Sequence, residues 1–257
     1  DSITLYGTLD TVQVIRQRIQ HANEANAGAR VTHISPAILQ ANKTRSLAEL
    51  LTDHTSIYIK SLGTGALSTA SFRGTSASQT RVNWNGINIT PPLSGTFDFS
   101  QIPVFFTDNI NLYYGSSHVK NGTGAIGGSV NLFTDTDWNR GVNGRVLAEY
   151  GSYNTYTVGG QANISGNKSA SKTRLYYQHS DNDYTYLNKV LTNTPFREKR
   201  QDAAYSQFGI MQEGYFRVSP YTRLTAVAWY QKNHRNLPQP LGVVNRSQED
   251  QEENNFR

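Results

Sequence analysis

Gly122-Thr123-Gly124-Ala125-Ile126-Gly127 has the G-x-G-x-x-G spacing with which a chain cradles a dinucleotide pyrophosphate. That chemistry needs a buried strand before the glycines and a helix N-terminus after them. Here Gly128-Ser129-Val130-Asn131-Leu132 alternates as a strand instead, so Gly122, Gly124, Gly127 and Gly128 read as a tight turn, and no nucleotide cofactor is expected. His21, His33, His54, His118, His179 and His234 are too scattered for the two-His spacing of a zinc site, so no metal is expected. There is no Cys and no G-x-S-x-G elbow, and Ser76 and Ser117 have no partner that the sequence reveals. Asp181 and Asp183 lie in a polar stretch. The acidic run Glu249, Asp250, Glu252 and Glu253 reads as a solvated loop, with calcium ligation by oxygen-rich side chains as the alternative. None of these residues points to an enzyme.

The elements that hold them fall into three parts. Residues 1–45 are thin in apolar side chains and read as a lead-in, with one short helix where Ser35 caps and Pro36 occupies the first helical position. From 46 to 139 a small α+β unit is expected. Ser46-Leu47-Ala48-Glu49 opens a helix with a capping box. Asn85-Gly86 takes the two positive φ values of a type I′ turn between Arg81–Trp84 and Ile87–Ile89. Ile110 and Leu112, then Val130 and Leu132, mark half-buried strands. From 140 to 257 the segments lengthen. Val146, Ala148 and Tyr150 interleave with Arg145, Leu147 and Glu149, and Tyr156, Val158, Ala162 and Ile164 follow on one face. With Thr173–Ser180, Tyr205–Val218 and Arg223–Lys232 this makes about five strands of the length a tilted membrane strand needs. In Arg223–Lys232 both faces are apolar, which leaves its orientation open.

Composition supports the same division. The chain has 257 residues, a net charge of +5 with 17% charged residues, and a mean hydropathy of −0.56, which matches neither a basic nucleic-acid arm nor a run of transmembrane helices. Hydropathy does not exclude a membrane β-barrel, whose strands alternate apolar and polar residues, and the 15 Tyr and 21 Gly suit one. Short connections at Gly166–Lys172 and Ser219–Tyr221 alternate with long polar ones at Asn182–Ala203 and from Asn233 onward, as in barrels with turns at one end and loops at the other. Asp1-Ser2-Ile3-Thr4 has no signal-peptide pattern, so the start reads as a processed or trimmed one.

Between Ser46 and Thr134 the motifs resemble, in order, the plug of TonB-dependent outer-membrane receptors. They are Ser46-Leu47-Ala48-Glu49-Leu50-Leu51, Phe72-Arg73-Gly74, Arg81-Val82-Asn83-Trp84-Asn85-Gly86-Ile87, Ile102-Pro103, Ile110-Asn111-Leu112, Tyr114-Gly115 and the Gly122–Leu132 stretch. The Trp84-Asn85-Gly86 form is similar to receptors of the Bacteroidetes type. Two departures stand out: Tyr114-Gly115-Ser116 where the family has Arg-Gly-Pro, and Asp108-Asn109-Ile110-Asn111 where it has a Glu-Arg-Ile-Glu-like strand. Because those family charges tie plug to barrel, the resemblance leaves Arg73 as the candidate plug charge facing barrel carboxylates, with an exposed turn residue as the alternative. Gly74, Asn85, Gly86 and Gly115 are expected to serve as plug turns, with Gly122, Gly124, Gly127 and Gly128. Further upstream, Asp10-Thr11-Val12-Gln13-Val14 resembles the TonB box, which would offer TonB an extended strand in the periplasm.

The resemblance implies an α+β plug domain followed by antiparallel transmembrane β-barrel strands, part of a plugged barrel of 22 strands. Residues 140–257 supply too few strands for closure, so the chain is expected to be the N-terminal portion of a receptor, or half of a nicked or split one, ending near an outward loop. The implied function is TonB-dependent transport of a scarce large nutrient of the ferric siderophore, haem or cobalamin class. The implied partners are TonB, a small-molecule ligand outside, outer-membrane lipid and the remainder of the barrel. The rival reading is a secreted β-rich binding or adhesion module, in which the apolar strand faces would be buried in a soluble sandwich.

Overall fold

The computed structural model describes residues 30–115, 125–190, 194–238 and 249–257. Two bodies of secondary structure pack on each other: a small α/β unit and a curtain of long antiparallel strands.

In the first unit, Ser35 accepts the N–H of Ile38 and Pro36 opens α1 (Pro36–Ala41), which buries Leu39. Ser46 and Glu49 close a reciprocal capping box on α2 (Leu47–His54), with Glu49 accepting the Ser46 N–H at 2.8 Å, and one face of α2 buries Leu47, Leu50 and Leu51. Strands β1 (Arg30–His33), β2 (Tyr58–Ser61), β3 (Ser68–Ser71), β4 (Thr80–Trp84), β5 (Ile87–Asn88), β6 (Asn109–Tyr114) and β7 (Gly128–Phe133) follow. Five of them form one sheet in the order β1-β6-β7-β4-β5, with β4 and β7 parallel and the other pairs antiparallel.

The sheet therefore begins ahead of residue 46. β1 is an edge strand of sequence Arg-Val-Thr-His, only partly buried, which is why its pattern carries little apolar signal. β7 differs from the half-buried expectation as well. It is buried on both faces, because Asn131 accepts from Asn83 Nδ2 at 2.8 Å and donates to Ser129 Oγ, so its polar face is paired inside the unit.

The hairpin at Asn85-Gly86 has φ of 49° and 86°, the two positive values of a type I′ turn. At Gly128 the requirement is space: a Cβ there would lie 2.5 Å from the Tyr113 carbonyl oxygen and 2.7 Å from the Phe72 ring.

The second body is a six-stranded sheet of β8 (Gly141–Gly151), β9 (Thr155–Ser165), β10 (Ser169–Ser180), β13 (Tyr205–Arg217), β14 (Arg223–Leu237) and β15 (Glu249–Phe256), each antiparallel to its neighbour. A small hairpin of β11 (Thr185–Asn188) and β12 (Phe196–Lys199) stands on the β10–β13 loop. The last strand corrects the expectation of a solvated acidic loop there. Glu249–Phe256 pairs with β14, and Glu252 meets Lys232 at 2.9 Å across the pair. Apart from Phe256 its residues are charged and amide side chains, so apolar periodicity does not reveal the strand.

The two faces of this sheet differ. Val142 (78% exposed), Val146 (81%), Val158, Ile164, Leu175, Ile210, Phe216 and Leu224 point away from the small unit, whereas Leu147, Tyr176, Met211, Val227 and Trp229 pack against its core. This settles the orientation of β14: Trp229 packs tilted against Trp84 at 4.7 Å between ring centroids and against Phe106 at 5.6 Å, and Leu224, Ala226 and Ala228 face outward. The short turns after β9 and β13 lie at one end and the long β10–β13 connection at the other.

Candidate functional site: the plug–wall seam

The seam is built mostly from the segment Phe97–Asp108, which approaches the wall through two single 3₁₀ turns, Phe99–Gln101 and Val104–Phe106. Their aromatic side chains are buried, with Phe105 stacked on Tyr176 of β10 at 6.0 Å. A chain turning this tightly leaves carbonyls without helical partners. The wall supplies the donors. Gln178, Gln207 and Gln231, inward-facing on β10, β13 and β14, donate to the carbonyls of Thr44 (3.3 Å), Ser100 (2.9 Å) and Gln101. Tyr176 donates to Thr44 O at 3.1 Å, and Asn182 Nδ2 to Thr64 O at 3.1 Å. Each such neutral bond contributes about 0.5–1.5 kcal/mol, added to the aromatic contact in which Tyr176, Met211 and Trp229 of the wall join the buried core of the plug.

Two carboxylates carry the charge. Asp98 accepts the N–H of Ser68 and Ser100 on one oxygen and Arg235 Nη1 at 2.9 Å on the other. Asp108, at the start of β6, accepts Lys172 Nζ at 2.9 Å, Arg174 Nη2 at 2.5 Å and the Asp135 N–H at 3.0 Å. Arg174 is fully buried, donates on to the Phe105 and Phe106 carbonyls, and lies 3.6 Å from the equally buried Glu213. Burial pushes the Asp108 carboxyl up, but Arg174, Lys172 and the Asp135 N–H outweigh it and hold the group below the ordinary carboxylate value. Beside them Lys43 donates to the Thr107 carbonyl at 2.5 Å. Its ammonium is lowered to about 8, first by burial and then by Arg174, Arg145 and Lys172, with Asp108 opposing.

Arg73 has a different place. It is exposed, at φ 49°, 5.9 Å above the ring of Tyr114 in its own unit, and against the described wall strands the plug carboxylates in ion pairs are Asp108 and Asp98. The polarity is also opposite to the expectation, with acids on the plug and cations on the wall. Asp108 was visible only as a departure from the Glu-Arg-Ile-Glu pattern. The inward Gln positions of the alternating strands were the legible signal for the wall side. Gly74 and Gly115 have φ of 77° and 90°, and Gly127 abuts Thr75. Gly122, Gly124 and the Asp10-Thr11-Val12-Gln13-Val14 segment lie outside the described residues. Among the described residues no group of acidic and His side chains is arranged to hold a metal ion. Beside the seam, Arg45, Glu49, Asp53, Gln178, Tyr205 and Gln207 line a cavity of ≈ 190 Å³.

Residues 23–129 match the family model of the TonB-dependent Receptor Plug Domain. The chain is 32% identical over 135 residues to the vitamin B12 transporter BtuB of Photobacterium profundum, covering 52% of this chain and 22% of that protein. It is also 32% identical over 126 residues to BtuB of Vibrio cholerae serotype O1, covering 49% and 20%. The chain thus spans about a fifth of the length of these curated relatives.

Its fold is similar to that of the ferric-catecholate import receptor Fiu from E. coli K12 (TM-score 0.59, 15% identity, 80% of this chain and 27% of that one). It is likewise similar to the ferripyoverdine receptor of Pseudomonas aeruginosa (0.60, 17%, 80% and 25%) and to the copper transporter OprC (0.62, 14%, 80% and 31%). These relatives are receptors and transporters rather than enzymes, and in the receptor fold the outward apolar face of β8–β14 is the lipid-facing face of an outer-membrane barrel wall. Residues 23–129 thus carry the plug domain of TonB-dependent receptors, seated on the inner face of antiparallel strands that are similar in fold to the walls of outer-membrane receptors.

Proposed function

We propose that the protein takes part in TonB-dependent uptake across the outer membrane of a nutrient too large or scarce for passive diffusion, a corrinoid or a ferric chelate. The observation that carries this reading is the seam itself. The plug meets the wall through aromatic contacts, side-chain-to-carbonyl bonds and two carboxylate sites, and the polar contacts can break one at a time when the plug is pulled. The resemblance to vitamin B12 transporters over half of the chain favours cobalamin among the candidates. The Asp10–Val14 segment is the proposed handle, adding as a strand to TonB with Val12 and Val14 on one side. The apolar outward face of the wall speaks against the secreted-module reading, since a soluble sandwich would cover it.

The test is uptake of labelled cyanocobalamin, and in parallel of a ferric siderophore, by cells carrying the full-length receptor with and without TonB. Uptake that requires TonB, with surface binding that does not, is the expected result. Val12→Pro and Val14→Pro should each abolish uptake and spare binding, because Pro removes a backbone donor. Uptake at the same rate without TonB refutes the reading.

A further inference from the structure

The connection from plug to wall, residues 134–140, makes contacts that the seam does not need. Thr134 is held by the Asn85 side chain, whose Oδ1 accepts the Thr134 N–H at 2.9 Å, and by Tyr215 Oη at 3.3 Å from its hydroxyl. Asp135 gives its N–H to Asp108, accepts Lys172 Nζ on its carbonyl, and has its carboxylate 3.7 Å from Arg223 Nη1. Trp138 then lies under two guanidinium groups, Arg217 at 3.9 Å and Arg223 at 5.6 Å from its ring centroid. Arg217 and Arg223 are cross-strand partners at the turn end of β13 and β14, and Arg217 also donates to the Asn167 carbonyl in the neighbouring turn. Asn139 (φ 61°) and Gly141 (φ 65°) turn the chain from Trp138 into β8.

Two cations on one ring are an arrangement with a cost: like charges face each other across the strand pair, and the ring face, Asp135 and the Asn167 carbonyl offset them. A connection that served only to link two units would not need it. We propose that Trp138, gripped by Arg217 and Arg223, is a positioning residue that anchors the plug's exit to the turn-end rim of the wall, so that β7 keeps its place while the rest of the plug shifts and returns. This rests on the transport reading for its purpose, though not for its geometry. Load entering at the N-terminal side of the plug would end at this anchor and pass into the rim, instead of peeling β8 from β9.

The test uses the full-length receptor in outer membranes, with two readouts that need no knowledge of the ligand: hydrogen exchange of the amides of residues 129–135, and exclusion of vancomycin from cells. Trp138→Ala and the double variant Arg217→Ala/Arg223→Ala should each speed exchange there about tenfold and raise vancomycin sensitivity, leaving β9–β10 amides as protected as in the parent. Trp138→Phe and Arg217→Lys/Arg223→Lys, which keep a ring and a cation, should restore both. Parent-like exchange and exclusion in both disruptive variants overturn the proposal, as does faster exchange throughout the wall, which would make these residues general fold supports. Absence of TonB-dependent uptake in the parent would overturn the transport reading alone, because the exchange readout still reports on the anchor.

Discussion

Replacing Asp108 by Asn removes one charge and almost no volume. What it disturbs follows from the contacts: Lys172 at 2.9 Å and Arg174 at 2.5 Å lose their nearest anion, and Arg174 is fully buried. Breaking a buried pair by removing one partner costs about 3–5 kcal/mol, because the other charge stays behind without compensation. Two features place this site at the low end. Glu213 remains 3.6 Å from Arg174, and Asn keeps an oxygen that accepts the Asp135 N–H. A weakening of about 3 kcal/mol raises the population with the plug released from the wall roughly a hundredfold. Hydrogen exchange of β6 and of Asp135 in the intact receptor measures that population, and Asp108→Asn should speed it by about that factor. Adding Arg174→Met should deepen the loss, because it leaves the buried Glu213 carboxylate without its cation. Unchanged exchange in Asp108→Asn would refute the reasoning, since it would mean that the buried guanidinium does not depend on this carboxylate.

Arg73→Ala, by contrast, should leave plug–wall exchange within about twofold of the parent, because the side chain is exposed and lies over Tyr114 of its own unit. The pH profile should show two windows. Asp108 lies below its ordinary value when folded, so its contribution is present above about pH 4 and is lost as pH falls through the folded value. Lys43 is lowered to about 8, so between there and its ordinary value the unfolded chain holds a proton that the folded one does not. Stability measured by denaturant midpoint should therefore rise across that window, and Lys43→Met should flatten it. Gly128→Val should destabilise the plug by about 2–3 kcal/mol, seen as a lower denaturant midpoint and independent of any nucleotide, because a Cβ there meets the Tyr113 carbonyl and the Phe72 ring.

Local signals carried much of this protein. Ser35-Pro36 and Ser46–Glu49 specify helix starts through caps made within four residues, and Asn85-Gly86 specifies a turn through φ values that few other residues adopt. The alternation in β8 and β9 marked one apolar face in each, because side-chain direction in a strand has a period of two whatever it packs on. Tertiary structure decided the remainder. β14 is apolar on both faces, and only the presence of Trp84 and Phe106 opposite Trp229 chooses which one turns inward. β1 and β15 are polar strands whose identity comes from the partners β6 and β14. Asp108 and Arg174 are 66 residues apart, and nothing in either neighbourhood announces the other. An ion pair is a property of the distance between two side chains, which only the folded arrangement of plug and wall determines.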